Sequence, residues 1–185
     1  MAQNQEIRLN LLDKCFNYLV KTGLENTSLR DLCKGTGISS GSIYYWFGGK
    51  DSLFLEATQY GLSVVADNIF EFIFENINNL DYFFGHFLVH IDEHRMSLRY
   101  IYQVATSPIY GAFMNENMLL LNDKYYQYSK RLCVEFGCDE DKVKPLIFLF
   151  ASVVSDYAVW GDLPVTQMQL DYLRTLLEKE LKIYK

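Results

Sequence analysis

The chain opens on a helical rhythm. Ile7, Leu11, Cys15 and Leu19 recur every four residues, with Leu12 and Phe16 beside them. Apolar positions at that spacing line one face of an α-helix, so residues 5–22 are predicted helical, and Gly23 stops the run. A shorter helix is predicted between Thr27 and Ile38. Thr27 or Ser28 caps it, Asp31 suits its first turn, Leu29 and Leu32 form its buried side, and Gly35 and Gly37 end it in a tight turn. A third follows at once over SSGSIYYWF. Ser39 can cap it with its side-chain oxygen. Ile43 and Phe47, four apart, share the anchored face, which leaves Ser40, Ser42, Tyr44 and Tyr45 on the others. Gly41 has no side chain, so another molecule can approach its backbone. Gly48-Gly49 ends this helix and Lys50 opens the next.

Past Lys50 the pattern becomes apolar on most sides. Leu53, Ala57, Gly61 and Val64 form one line, and Phe54, Leu62, Val65, Ile69, Phe72 and Ile73 cover much of the rest. A helix of that kind is buried by its neighbours, and it is predicted from Lys50 to about Asn76. A polar break precedes a fifth helix, Tyr82 to His94, and a sixth, Met96 to Thr106, ended by Ser107-Pro108. A seventh spans Ile109 to Phe136 and breaks at Gly137. Asp139, Glu140 and Asp141 supply acids for the start of an eighth, which runs to Trp160 with Pro145 in its first turns. Gly161-Asp-Leu-Pro164 closes it, and a ninth runs from Thr166 to about Ile183. No strand pattern or repeat stands out. The fold class is all-α, with about nine helices.

Two short helices joined across a glycine turn, the second polar and aromatic on its free face, describe a helix-turn-helix. The second helix of that motif enters the DNA major groove with its N-terminal end toward the bases, and a cation with backbone N–H groups at a helix start suits phosphate. The run from Thr27 to Phe54, TSLRDLCKGTGISSGSIYYWFGGKDSLF, resembles the DNA-binding signature of TetR/QacR-type transcriptional regulators, and the likeness extends back to Leu11. The resemblance implies an N-terminal three-helix DNA-binding head over residues 1–49. An effector-binding and dimerisation body would fill residues 50–185. By the same resemblance Ser42, Tyr44 and Lys50 match positions that hold phosphates, with Tyr45 beside them, while Ser39, Ser40 and Gly41 meet base edges. Ser40 falls where many members carry lysine. Trp46 falls where histidine or tyrosine is common, and it either packs on the DNA backbone or joins the core.

Charge changes the picture only by its distribution. The net charge is −6, which opposes DNA binding at first sight. Residues 1–50 hold six Lys/Arg against four Asp/Glu, and the remainder is acidic, an asymmetry that fits a DNA-reading end on an acidic body. Half of the residues are apolar and 22% charged, which excludes general disorder. The start, MAQNQEIRLN, lacks a signal peptide's apolar core, and no stretch reads as apolar and uncharged for long enough to cross a membrane. A cytoplasmic protein with no membrane partner is expected.

Aromatic residues are dense on the predicted fifth to seventh helices. Through the resemblance these helices enclose an effector pocket, with Phe83, Phe87, His90, Tyr100, Tyr102, Tyr110, Phe113 and Tyr126 as its candidates. Such a lining suits a small, flat or cationic organic molecule. The eighth helix carries small Ala151, Ser152, Ser155 and Ala158. The last two helices either close the monomer core or, as the resemblance implies, form a four-helix homodimer interface through Phe148, Ala151, Ser152, Ser155, Leu173 and Leu177.

His86, His90 and His94 stand four apart. They read as boundary polar residues, as contacts for an organic ligand, or as ligands for zinc, copper or nickel; no metal and no cofactor is expected. Cys15 and Cys33 read as small packing residues, and Cys133 and Cys138 as either inert or a redox pair. There is no H-E-x-x-H, P-loop or G-x-S-x-G, so no enzyme is expected. The reading is a ligand-responsive regulator, most simply a repressor released from a palindromic double-stranded DNA operator by a small organic effector. The alternatives are a metal- or redox-responsive regulator of the same fold, or a helical ligand-binding protein without a DNA function.

Overall fold

The computed structural model describes residues 2–25 and 27–181, and all side chains within them except those of residues 2, 115–120 and 181. Among the described residues the chain forms eight α-helices and no strand: α1 (Ala2–Thr22), α2 (Leu29–Thr36), α3 (Ser40–Phe47), α4 (Lys50–Asn76), α5 (Leu80–Ala105), α6 (Gly111–Phe136), α7 (Glu140–Trp160) and α8 (Leu163–Leu181).

Several boundaries differ from expectation, three of them for a local reason that the structure shows. The expected fifth and sixth helices are one, α5. Arg95, Met96 and Ser97 contain no breaker, and buried Ile91, Leu98 and Ile101 carry one stripe across the expected gap. The helix after Pro108 begins at Gly111 and not Ile109, because Ser107 holds a turn there, its Oγ accepting from the N–H groups of Ile109 at 3.2 Å and Tyr110 at 3.4 Å. The last helix begins at Leu163 and not Thr166. Asp162 caps it, Oδ1 accepting from the Val165 N–H at 3.1 Å, and Pro164 is tolerated in a first turn, where no N–H is required of it. Ile183, the expected end of that helix, lies outside the described residues.

One compact unit comprises Met1–Val65 with Met96–Asn117. It is wider than the 1–49 head. Leu12, Cys15, Phe16 and Leu19 of α1 and Leu32 of α2 share a core with Ile43 and Phe47 of α3. Leu53, Phe54 and Ala57 of α4, Tyr100, Ile101 and Val104 of α5, and Met114 of α6 complete it. Gly61 permits a close approach in this core: a Cβ there would lie 2.1 Å from the Phe16 ring.

The second unit comprises Ala66–Arg95 with Met118–Lys185. Phe83, Phe84, Phe87 and Phe150 form its ring cluster, with centroids 4.8–6.1 Å apart. Fully burying one such side chain contributes roughly 1.5–3 kcal/mol. Lys124–Asp67 at 2.7 Å and Arg131–Glu71 at 2.8 Å join α6 to α4. Both pairs are largely in solvent, where an ion pair contributes about 0–1 kcal/mol.

α7 corrects one expectation. By length and composition alone its 21 residues suffice to cross a membrane, although no such stretch was read from the sequence. It packs along α8 and buries Val143, Ile147, Phe150, Val154, Tyr157 and Ala158, as the core helix of a folded domain does. Asp139 caps it, Oδ1 accepting from the Asp141 N–H at 3.1 Å.

Candidate nucleic-acid interface

α2 is set by its cap. The Ser28 Oγ accepts from the Asp31 N–H at 3.2 Å, and the Asp31 carboxylate accepts from the Ser28 N–H at 3.3 Å, a reciprocal capping box. The Ser28 hydroxyl also donates to the Asp31 carboxylate, and this bond, with that from the Ser28 N–H, holds the carboxyl below its ordinary value. Thr27 is buried and bonds elsewhere, donating to the Gly23 carbonyl at 2.8 Å, so Ser28 is the cap of the two candidates. Gly37 ends the helix at φ 72°, its N–H donating to the Cys33 carbonyl. That left-handed conformation costs glycine nothing, and it turns the chain sharply into α3.

α3 begins on Ser39, whose Oγ accepts from the Ser42 N–H at 3.0 Å and lies 2.9 Å from the Ser42 Oγ. Ile43 and Phe47 are buried, and they fix the helix rotationally on the core. The opposite side is left to solvent: Ser39, Ser40 and Gly41 are exposed, and Tyr44 and Tyr45 are 58% and 78% exposed. Ser42 is half-buried. Trp46 is half-buried, stands edge-on to Tyr45 at 5.1 Å and packs in part against the core.

Lys50, also half-buried, stands at the start of α4 with its Nζ 5.2 Å from the centre of the Phe54 ring. Asp51 beside it accepts a 2.7 Å hydrogen bond from the Tyr110 hydroxyl. Arg8 is engaged within the fold, paired with Glu56 and lying over the Phe47 ring at 5.2 Å. Glu56 and Tyr110 were not read from the sequence as parts of this region. Nothing in a linear pattern marks a partner 48 or 59 residues away.

Residues 11–57 match the family described as bacterial regulatory proteins, tetR family. They are the N-terminal domain of a TetR-family regulator. No curated protein matches the chain. The TetR-family match makes the protein a DNA-binding transcriptional regulator, of a family that is not enzymatic.

The eight aromatic and histidine positions expected to line one effector pocket are divided between the two compact units. Tyr100, Tyr102, Tyr110 and Phe113 belong to the first; Phe83, Phe87, His90 and Tyr126 belong to the second. Phe83 and Phe87 are wholly buried in their ring cluster. Tyr100 is buried edge-on to Phe16, with its hydroxyl 3.2 Å from the Thr58 Oγ1, and burial pushes that phenol up to about 12. Those three side chains are committed to the chain's own packing. Tyr102, Tyr110, Phe113 and His90 are half-buried and Tyr126 is exposed. On α7 and α8, Phe148, Ala151 and Ser155 are half-buried and Ser152 is exposed, whereas Leu173 and Leu177 face inward and are buried.

On α5, His86 is exposed and donates through Nδ1 to the Tyr82 carbonyl at 2.8 Å. His90 lies stacked on Phe72 at 4.4 Å and edge-on to His94 at 5.0 Å. Burial, with His90 beside it, lowers the His94 pKa from its ordinary value. His90, Glu93 and His94 bring one nitrogen or oxygen each within 4.8 Å of one another. The sequence carried a signal for Glu93 that the histidine spacing hid: H-x-x-E-H places a carboxylate between the two rings.

Proposed function

We propose that this regulator is a one-component repressor, bound as a homodimer to a palindromic operator and released by a small organic effector. The observation that carries the reading is the free face of α3: two exposed tyrosines beside serine hydroxyls, on a helix locked from behind by Ile43 and Phe47. In this reading Ser39, Ser40 and Gly41 meet base edges. Ser42, Tyr44, Tyr45 and Lys50 hold phosphates, and Trp46 braces Tyr45. Residues 1–49 read DNA, and residues 50–185 respond to the effector and dimerise. DNA as the partner implies a cytoplasmic location.

The dimer is supported by the outer surface of the last two helices, where Leu149, Trp160, Leu163, Met168 and Tyr172 are exposed. Phe148, Ala151, Ser152 and Ser155 contribute to that surface, and Met168 and Tyr172 replace the inward-facing Leu173 and Leu177 as the α8 contacts. Two heads then meet half-sites about 34–36 Å apart, or a multiple of that. The effector reaches half-buried Tyr102, Tyr110 and Phe113 or exposed Tyr126, and α4 is the covalent route from body to head. An effector that induces release binds the DNA-free state more tightly, and operator weakens it by the same factor.

Gel shifts against DNA upstream of the protein's own gene test the operator. A specific shift, abolished in Tyr44→Ala and Tyr45→Ala protein that remains folded, is expected. Absence of any specific shift refutes the operator reading. Sedimentation of Tyr172→Glu protein, expected to move from dimer to monomer, tests the interface separately.

A further inference from the structure

One turn of α5 carries a second, unassigned chemistry. His90, Glu93 and His94 stand at positions i, i+3 and i+4, which share one side of a helix. Their donor atoms already lie within 4.8 Å of one another. The His90 ring is held by Phe72 and His94, yet its own polar atoms are not satisfied. Nε2 is buried without a hydrogen-bond partner, and Nδ1 is 3.6 Å from the Glu93 Oε2, beyond an ordinary hydrogen bond. His86, one turn earlier, satisfies its Nδ1 at 2.8 Å. A buried polar atom left without a partner in a native fold calls for a physical account, and a bound ion is one.

We propose that His90, Glu93 and His94 bind one borderline divalent cation, zinc by preference, through two imidazole nitrogens and a carboxylate oxygen. Two imidazoles and a carboxylate suit zinc with a fourth position open to water or a small ligand. Hard cations prefer an all-oxygen set, and the softest prefer thiolate. Bonds of about 2.0–2.2 Å require the donors to close to roughly 3.4 Å apart. The Glu93 side chain, 68% exposed, is free to rotate inward, whereas His90 is held against Phe72. The cation would give one of the two His90 ring nitrogens a partner and would take that residue out of the organic effector's reach. The proposal is independent of the operator reading, because binding is measured without DNA.

The test uses the full-length protein stripped with a chelator. Zinc alone is titrated in competition with a chromophoric chelator, and cobalt is added in parallel for its absorption spectrum. One equivalent per chain at micromolar affinity or tighter is expected. The cobalt spectrum should lack a thiolate charge-transfer band, since Cys15, Cys33, Cys133 and Cys138 are free thiols and the competing ligands. Glu93→Gln and His94→Gln should each weaken zinc by at least about tenfold, the lower end of what even outer-shell losses cost, and His86→Gln should leave it unchanged. Circular dichroism accompanies each variant. Because Glu93 is largely exposed, Glu93→Gln decides the matter if a histidine variant loses helix. A thiolate band, affinity unchanged in Glu93→Gln protein, or no binding in the micromolar range overturns the proposal.

Discussion

Replacing Lys50 with alanine tests both where the DNA backbone is held and how much of the affinity is electrostatic. The reading head has few available cations. Arg8 is engaged by Glu56 and the Phe47 ring, which leaves Lys50 with exposed Arg30 and Lys34 near α2 and α3. Two or three cations per chain in the proposed dimer neutralise about four to six phosphates, and log K then falls against log salt with a slope of roughly −4 to −5. Lys50→Ala removes one cation from each chain, hence two phosphate contacts, and should flatten that slope by roughly 2. It should weaken every sequence alike, because a phosphate contact carries no base information. Tyr44→Phe removes a hydroxyl that releases no counterion, so affinity should fall at constant slope. Arg8→Met should leave the slope unchanged, since its charge is already paired inside the chain. Fluorescence anisotropy with an operator duplex at a series of salt concentrations reads all three, with light scattering to confirm the dimer. A folded Lys50→Ala dimer with unaltered affinity and slope would refute the assignment of the α4 start to phosphate. A slope flattened equally by Arg8→Met would show that Glu56 does not hold that charge.

Three further outcomes follow from the packing and the caps. Gly61→Ala puts a methyl group 2.1 Å from the Phe16 ring; overpacking of this kind costs roughly 1–3 kcal/mol, to be read from urea unfolding, and an unchanged midpoint would mean that the ring moves freely. The Cys15 thiol, buried and pushed up to about 12 by that burial and by Cys33, should resist a thiol reagent until the protein unfolds, while half-buried Cys138 reacts first; mass spectrometry of partly labelled protein orders the sites. The depressed Asp31 carboxyl implies that its capping contribution is present above the ordinary carboxylate value and is lost as pH falls through the lower folded value, so Asp31→Asn should blunt the acid sensitivity of the head, followed by the carboxyl's own NMR titration.

Much of the reading head was legible before any coordinates. Caps, glycine stops and the pair Ile43–Phe47 are local, decided within four residues by backbone hydrogen bonding and helical periodicity, so the order α1–α2–α3 and the free face of α3 follow from the chain alone. Later boundaries shifted where a local signal was ambiguous: Pro164 reads as a stop or a first turn until Asp162 is seen to cap the helix, and the polar run around Arg95 reads as a break until Leu98 and Ile101 are seen on the inner stripe. Side-chain partnership was not legible at all. That Arg8 is neutralised by Glu56, that Phe83, Phe87 and Tyr100 are committed to packing, and that Leu173 and Leu177 face inward all depend on contacts between residues far apart in sequence. The histidine row falls between the two cases. Its spacing with Glu93 is written in the chain, but only the packing of α5 against Phe72 leaves His90 without a hydrogen-bonding partner. Local hydrogen bonds and periodicity are properties of short segments, and so the sequence determines them; burial and charge pairing are properties of the whole fold, and only the tertiary structure decides them.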